Sequence, residues 1–207
     1  MSIVDDLRTL DTSDPGRWPL PNVWLGVSVE NQRFADERIP LLLETPAAVR
    51  FISAEPLLGP IDVRWRSADG GGFVQYLPAP GPPDPPNVKN RRPYLNWVIT
   101  GGESGPKARP CRVEWIADIV RQCQASHVPV FVKQLGSNVE DRNDAGFEGD
   151  PGDRWTPETR YEELTSEGWQ GDPVRIRLRD RKGGDPQEWP EDLRVRDFPR
   201  AAGEAEG

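Results

Sequence analysis

Apolar and polar positions alternate along this chain in two rhythms. Residues 22–31, "NVWLGVSVEN", form a run rich in β-branched and aromatic residues that ends in polar ones, the signature of a strand. Residues 32–46, "QRFADERIPLLLETP", read as a helix that Pro40 breaks or kinks. A second strand is expected at 49–57, "VRFISAEPL", a third at 95–104, "LNWVITGGES", and a fourth at 128–136, "VPVFVKQLG". The clearest helix covers 112–127. There Val113, Ile116, Ala117, Val120 and Cys123 recur at i, i+3, i+4, i+7 and i+10, which puts them on one face. Strands alternating with helices predict βαβ units, a parallel sheet and an α/β fold. Farther on, residues 174–199, "VRIRLRDRKGGDPQEWPEDLRVRDFP", alternate Arg with Val, Ile and Leu at period two. That pattern predicts a strand with Arg on its wet face, a turn at "RKGGD" and a small C-terminal β-hairpin-like appendage.

Between the periodic segments the chain is rich in turn formers. Residues 1–17 read as a flexible lead-in, 18–137 as the α/β domain and 138–207 as a polar, acidic tail with a frayed end. The stretch 64–94 is dense in Gly and Pro, and its "PAPGPPDPP" predicts extended polyproline-like chain in a surface insertion. Charge follows the same division. The formal net charge is −8, yet residues 1–139 hold 15 acids and 15 bases, and residues 140–207 hold 19 acids and 11 bases. Such a balance does not point to nucleic acid, whose phosphates need Lys and Arg. No apolar run approaches the roughly 18 residues of a membrane span. The opening "MSIVDDLRTL" lacks the basic and apolar regions of a signal peptide, and two cysteines make no disulfide framework. A cytoplasmic protein without membrane attachment is expected.

Ligand groups of parallel α/β folds gather at the carboxyl ends of the strands. Here those ends carry Ser28, Glu30 and Asn31; Ser53, Glu55 and Pro56; Thr100, Gly101, Gly102, Glu103 and Ser104; and Lys133 with Gln134. Adjacent parallel strands would bring three carboxylates and an amine to one mouth. Glu55, Glu103 and Lys133 are the candidates for chemistry. Each residue also has a plainer role: Asn31 as a helix N-cap, Glu55 as an ion-pair partner of Lys133, the glycine pair as a tight corner. The glycines fit neither the dinucleotide nor the phosphate-loop pattern. Cys123 and His127, at i, i+4 spacing, are too few for a metal site and read as a core residue and a helix-end residue, while Cys111 is expected to be more exposed.

Five blocks, "NVWLGVSVEN", "RFISAEPLLGPID", "WVITGGESGPKARP", "VPVFVKQLG" and "DRKGGDPQEWPEDLRVRDFP", together resemble an uncharacterised phage and prophage family. It is named after phage gene products thirty-seven and sixty-eight and is also called the three-Cys-motif family. The resemblance runs in order over residues 18–199. It implies a radical-SAM-like partial (β/α) barrel with about four parallel strands in this chain. Full-length members carry three cysteines ending in C-x-x-C-Tyr, which would hold a [4Fe–4S] cluster and leave one iron open for S-adenosylmethionine. By position, Ser28, Glu30 and Asn31 would lie near the nucleoside of that cofactor, and Glu55, Gly101, Gly102, Glu103 and Ser104 would line the same mouth.

This sequence contains no such cysteine cluster, so it resembles the C-terminal portion of the family domain and is expected to hold neither cofactor alone. The expected partners are a separately encoded N-terminal half, or other copies meeting through exposed sheet edges. A partial barrel would leave both lateral edges unpaired and its inner face bare, which predicts self-association. The alternative is a phage accessory module that binds a partner through its acidic tail and Pro-rich loop, without iron or S-adenosylmethionine.

Overall fold

The computed structural model describes residues 18–67, 73–79, 93–142, 160–163 and 173–199. In chain order it contains β1 (Trp24–Ser28), α1 (Gln32–Glu44), β2 (Val49–Ala54), β3 (Trp65–Ser67), β4 (Phe73–Gln75), β5 (Trp97–Gly101) and β6 (Cys111–Arg112). There follow α2 (Val113–Ala125), β7 (Val130–Gln134), β8 (Val139–Arg142), β9 (Arg160–Glu163), β10 (Pro173–Arg177) and two 3-10 turns, Pro186–Glu188 and Glu191–Leu193. Residues 1–17, the bulk of the Pro-rich stretch, much of the acidic segment and the chain end lie outside the described residues.

The four long strand runs form one parallel sheet in the order β1-β2-β5-β7, each beside the next in sequence among them. Alternation along a strand divides its side chains between two faces. Leu25, Val27, Val29, Ile52, Ala54, Val98, Val130 and Val132 point to the face that packs with both helices in one core. From α1 come Ala35, Ile39, Leu42 and Leu43, and from α2 Val113, Ile116, Ala117, Ile119, Val120 and Cys123. Burying each large aliphatic here contributes roughly 1.5–3 kcal/mol before entropy is counted.

Several local expectations change. Helix α1 continues past Pro40 to Glu44 instead of breaking. Leu42 and Leu43, buried beyond the proline, hold the final turn against the loss of one backbone bond. Cys111 is 1% exposed rather than open to solvent. His127 takes φ 53° just past the end of α2, and its N–H donates to the Gln124 carbonyl at 3.1 Å. It stands where glycine commonly ends a helix. The stretch read as a surface insertion supplies core side chains: Tyr76 and Leu77 are fully buried. Gln32 and Gln122 dock the residues just before that stretch to both helices. Gln32 accepts from Asp62 N–H at 2.7 Å, and Gln122 accepts from Val63 N–H at 2.7 Å.

The C-terminal region also joins the main core. Strand β10 pairs antiparallel with β8 and β9, and β8 pairs parallel with β6. Val174 and Ile176 turn inward while Arg177 is exposed, as the period-two pattern predicted. The partners of β10 come from earlier in the chain, and "RKGGD" leads into the 3-10 turns, so it closes no hairpin among the described residues. Trp189 and Leu193, each 0% exposed, plug the same core.

One lateral edge of the parallel sheet is closed by the chain itself. Val132 N–H donates to Val195 O and Asp197 N–H to Val130 O, both at 2.9 Å, around an antiparallel bridge between Phe131 and Arg196. The expectation of two unpaired edges therefore fails at β7. At β1 no strand pairs with the outer edge among the described residues.

Candidate functional site

Because the strands are parallel neighbours, their carboxyl ends do meet. The backbone knits them together: Leu58 N–H donates to Glu30 O at 2.8 Å and Leu57 N–H to Gly101 O at 2.9 Å. The segment after β2 thus bridges the ends of β1 and β5.

Each carboxylate at this mouth has a cation. Glu30 pairs with Arg38 on α1 at 3.2 Å, and Arg38 also donates to the Ser28 carbonyl at 2.6 Å and lies over the Phe34 ring at 4.3 Å. Glu103 takes a forked contact from Arg109, 2.8 Å from Nε and 3.0 Å from Nη2, and a third bond from Arg109 backbone N–H at 2.9 Å. These bonds from the Arg109 side chain and backbone hold the Glu103 carboxyl down to about 2. Arg109 is raised in turn, first by its hydrogen bond with Glu103 and more weakly by the field of Glu30, so the β1 and β5 ends share one electrostatic neighbourhood.

The third pair is of another kind. Lys133 Nζ lies 3.4 Å from Glu55 Oε1 and 3.4 Å from Oε2, and its side chain is 57% exposed while that of Glu55 is 14% exposed. Ser53 Oγ donates to Oε2 at 3.2 Å. Oε1 is buried and accepts no hydrogen bond among the described residues. A buried oxygen without a donor is costly and calls for a reason.

The glycine pair makes room for protein. A Cβ at Gly101 would stand 2.8 Å from Gln134 O and 3.0 Å from Glu55 Oε1, and one at Gly102 would overlap the Leu135 carbonyl. Gly101 therefore lets the Glu55 carboxylate lie across the sheet end, and Gly102 lets β5 approach the chain after β7. Asn31 acts as the N-cap of α1, accepting from Phe34 N–H at 3.3 Å. Ser28 and Ser53 are register partners on the face away from the helices. Ser104 is exposed, and no hydrogen bond of its side chain occurs among the contacts described.

Sequence reading missed three contributors. Arg38 and Arg109 follow their carboxylates by eight and six residues, and no motif marks them. Ser137 accepts from Gly105 N–H at 2.9 Å and donates to Arg181 O at 2.6 Å, tying the loop after β5 to the C-terminal segment. The helix-free face of the sheet is also organised. Trp97 meets Trp24 and Phe131 edge-on and Phe51 and Phe198 at a tilt, at centroid distances of 5.8, 6.2, 5.7 and 5.3 Å. Trp24 is 38% and Phe198 60% exposed. Aromatic rings thus fill the amino end of this face and charged groups its carboxyl end.

Fold and site together define a mixed α/β protein with a four-stranded parallel sheet, two helices on one face and a charge-paired mouth at the strand ends. The chain belongs to the family described as "Protein of unknown function (DUF5131)", whose model matches residues 3–191. Neither the curated proteins nor the solved structures gave a match. No helix among the described residues is long and apolar enough to cross a membrane.

Proposed function

We propose that this chain is one side of a phage- or prophage-type (β/α) barrel of radical-SAM-like kind, contributing one wall of a ligand mouth that further strands complete. The observation that carries it is the asymmetry of the sheet. The chain closes the β7 edge with its own residues 195–197, while β1, the first strand, has an outer edge without a partner among the described residues. Parallel strands added upstream would continue the sheet there and cover the aromatic row. The five-block resemblance supplies the class. It expects a nucleoside near Ser28, Glu30 and Asn31, with Glu55 and residues 101–104 beside it.

An iron–sulfur cluster does not fit the donors present. Cys111 and Cys123 are both buried, and desolvation pushes each thiol up to about 12, far from the thiolate that iron requires. No group of three or more His, Cys, Asp or Glu able to hold a metal occurs among the described residues. Any cluster would have to be held by the added part.

The test is to translate the DNA upstream of Met1, join any three-cysteine stretch found there to this chain, and reconstitute the product anaerobically with iron and sulfide. Iron–thiolate absorption and reductive cleavage of S-adenosylmethionine are expected. If no such stretch exists in any upstream frame or neighbouring gene, or if the joined protein never cleaves the cofactor, the reading is lost. One observation favours a second reading, a binding module without iron: Glu30 and Glu103 are already satisfied by Arg38 and Arg109. Binding of a protein partner by this chain alone, unaffected by iron or S-adenosylmethionine, would select it.

A further inference from the structure

We infer that Lys133 is an imine-forming lysine for small aldehydes or ketones, with Glu55 as its proton carrier. The inference rests on the carboxyl-end mouth being a ligand site, and it does not need the iron–sulfur resemblance. Of the three ion pairs at the mouth, two use arginine, which stays protonated and is no nucleophile. Only the Glu55 pair contains a group that can give up a proton and attack. Lys133 is also the exposed member, so an entering molecule meets its Nζ first. Its backbone is fixed from the far edge, where Arg196 Nη2 donates to Lys133 O at 3.1 Å.

The burial of Glu55 decides which ligand chemistry suits the pair. An anion that drew Lys133 away would strand a mostly buried carboxylate without its cation. A protonated imine keeps a positive nitrogen where the ammonium stood, so the pair survives the reaction. The steps balance. Glu55 takes one proton from the Lys133 ammonium, and the freed Nζ electron pair bonds to the carbonyl carbon while the C=O π pair moves to oxygen. One proton passes from nitrogen to that oxygen, giving a neutral carbinolamine. The proton on Glu55 then goes to the hydroxyl, the C–O bond breaks, water leaves, and the nitrogen pair forms the C=N bond. Ammonium and carbonyl become protonated imine and water, and Glu55 ends as the carboxylate it began as. Lys133 Nζ already donates to Glu55 Oε2 at 3.4 Å, which is the path of the travelling proton.

The experiment uses the chain as it is, with propanal as the probe and cyanoborohydride to trap the imine, followed by peptide mapping of early time points. Lys107 and Lys182, both exposed, serve as controls in the same molecule. Lys133 is expected to be labelled roughly tenfold or more faster than either, and Glu55→Gln to remove that advantage without changing the controls. Lys133→Arg should abolish labelling at the position, and circular dichroism checks that each variant folds. Should Glu55→Gln unfold, Glu55→Asp replaces it, with the same loss expected from its shorter reach. Equal labelling of Lys107, Lys133 and Lys182 in the unaltered protein overturns the inference whatever the variants do, as does an advantage that persists in folded Glu55→Gln. Neither result bears on the extended chain and its iron, so this inference and the barrel reading fail separately.

Discussion

The two faces of the parallel sheet are carried by the same strands, one residue out of step, yet they are built differently. The face under α1 and α2 is mainly aliphatic: Val27, Ile52, Val98 and Val132 pack with helix side chains in one core, and strand alternation adds Arg50 and Thr100 to it. The other face is graded, from Trp24, Phe51 and Trp97 at its amino end to Ser28, Glu55 and Lys133 at its carboxyl end. A mainly aliphatic face serves packing. A graded one combines an apolar floor with a polar rim, the arrangement of a binding mouth.

The comparison can be broken at several points. The largest effect is expected at Ile52→Ala, fully buried under the helices, with a loss of about 2–5 kcal/mol in urea unfolding. Phe51→Ala, its neighbour on the graded face, should cost less than about half of that, because its ring is only partly covered. Equal losses would mean that something covers the graded face in solution.

Next comes Gly102→Ala, expected to lose about 1–3 kcal/mol because the new methyl overlaps the Leu135 carbonyl and backbone has to move. An unchanged urea midpoint would reduce that close approach to an accident of packing. At the open edge, Trp24→Lys puts a charge on an exposed aromatic. It should weaken any concentration-dependent self-association by about tenfold, or 1.4 kcal/mol, in sedimentation equilibrium. A monodisperse monomer at all concentrations before mutation would remove the edge from consideration.

The smallest effect concerns pH. Arg109 lowers the Glu103 carboxyl from its ordinary 4.5 to about 2. Folded Glu103 therefore binds its proton less readily than unfolded Glu103. The resulting stabilisation is complete above about 4.5 and is lost as pH falls toward about 2. Arg109→Leu should flatten stability across that window, weakly, because the pair is exposed and screened by salt. Carbon-detected NMR titration of Glu103 reads the same displacement directly, and an ordinary midpoint would contradict the forked contact.

Much of the fold was legible because periodicity reports burial. The spacing of Val113, Ile116, Ala117, Val120 and Cys123 marked the buried stripe of α2, and all five are buried. The strand ends were legible by the same logic, since parallel neighbours must bring them together. Less legible were features made by distant contacts. Gly-Pro density hid the core roles of Tyr76 and Leu77, and a polar sequence hid that of Trp189. Composition averages over a segment, whereas burial is decided side chain by side chain.

By itself the sequence determined the α/β class, the helix faces and the set of polar residues at the strand ends, because these follow from local spacing and chain order. Only the tertiary structure decided how those residues are divided. It gave Asn31 to a helix cap, Glu30 and Glu103 to arginines, and Glu55 to Lys133. It also decided that the glycine pair admits protein atoms, and that residues 195–197 close one sheet edge. The cap and the two arginine pairs are local, three to eight residues apart, and were decided by side-chain geometry; the Glu55–Lys133 pair and the closed edge join residues 78 and 64 apart, a distance over which local pattern carries no information.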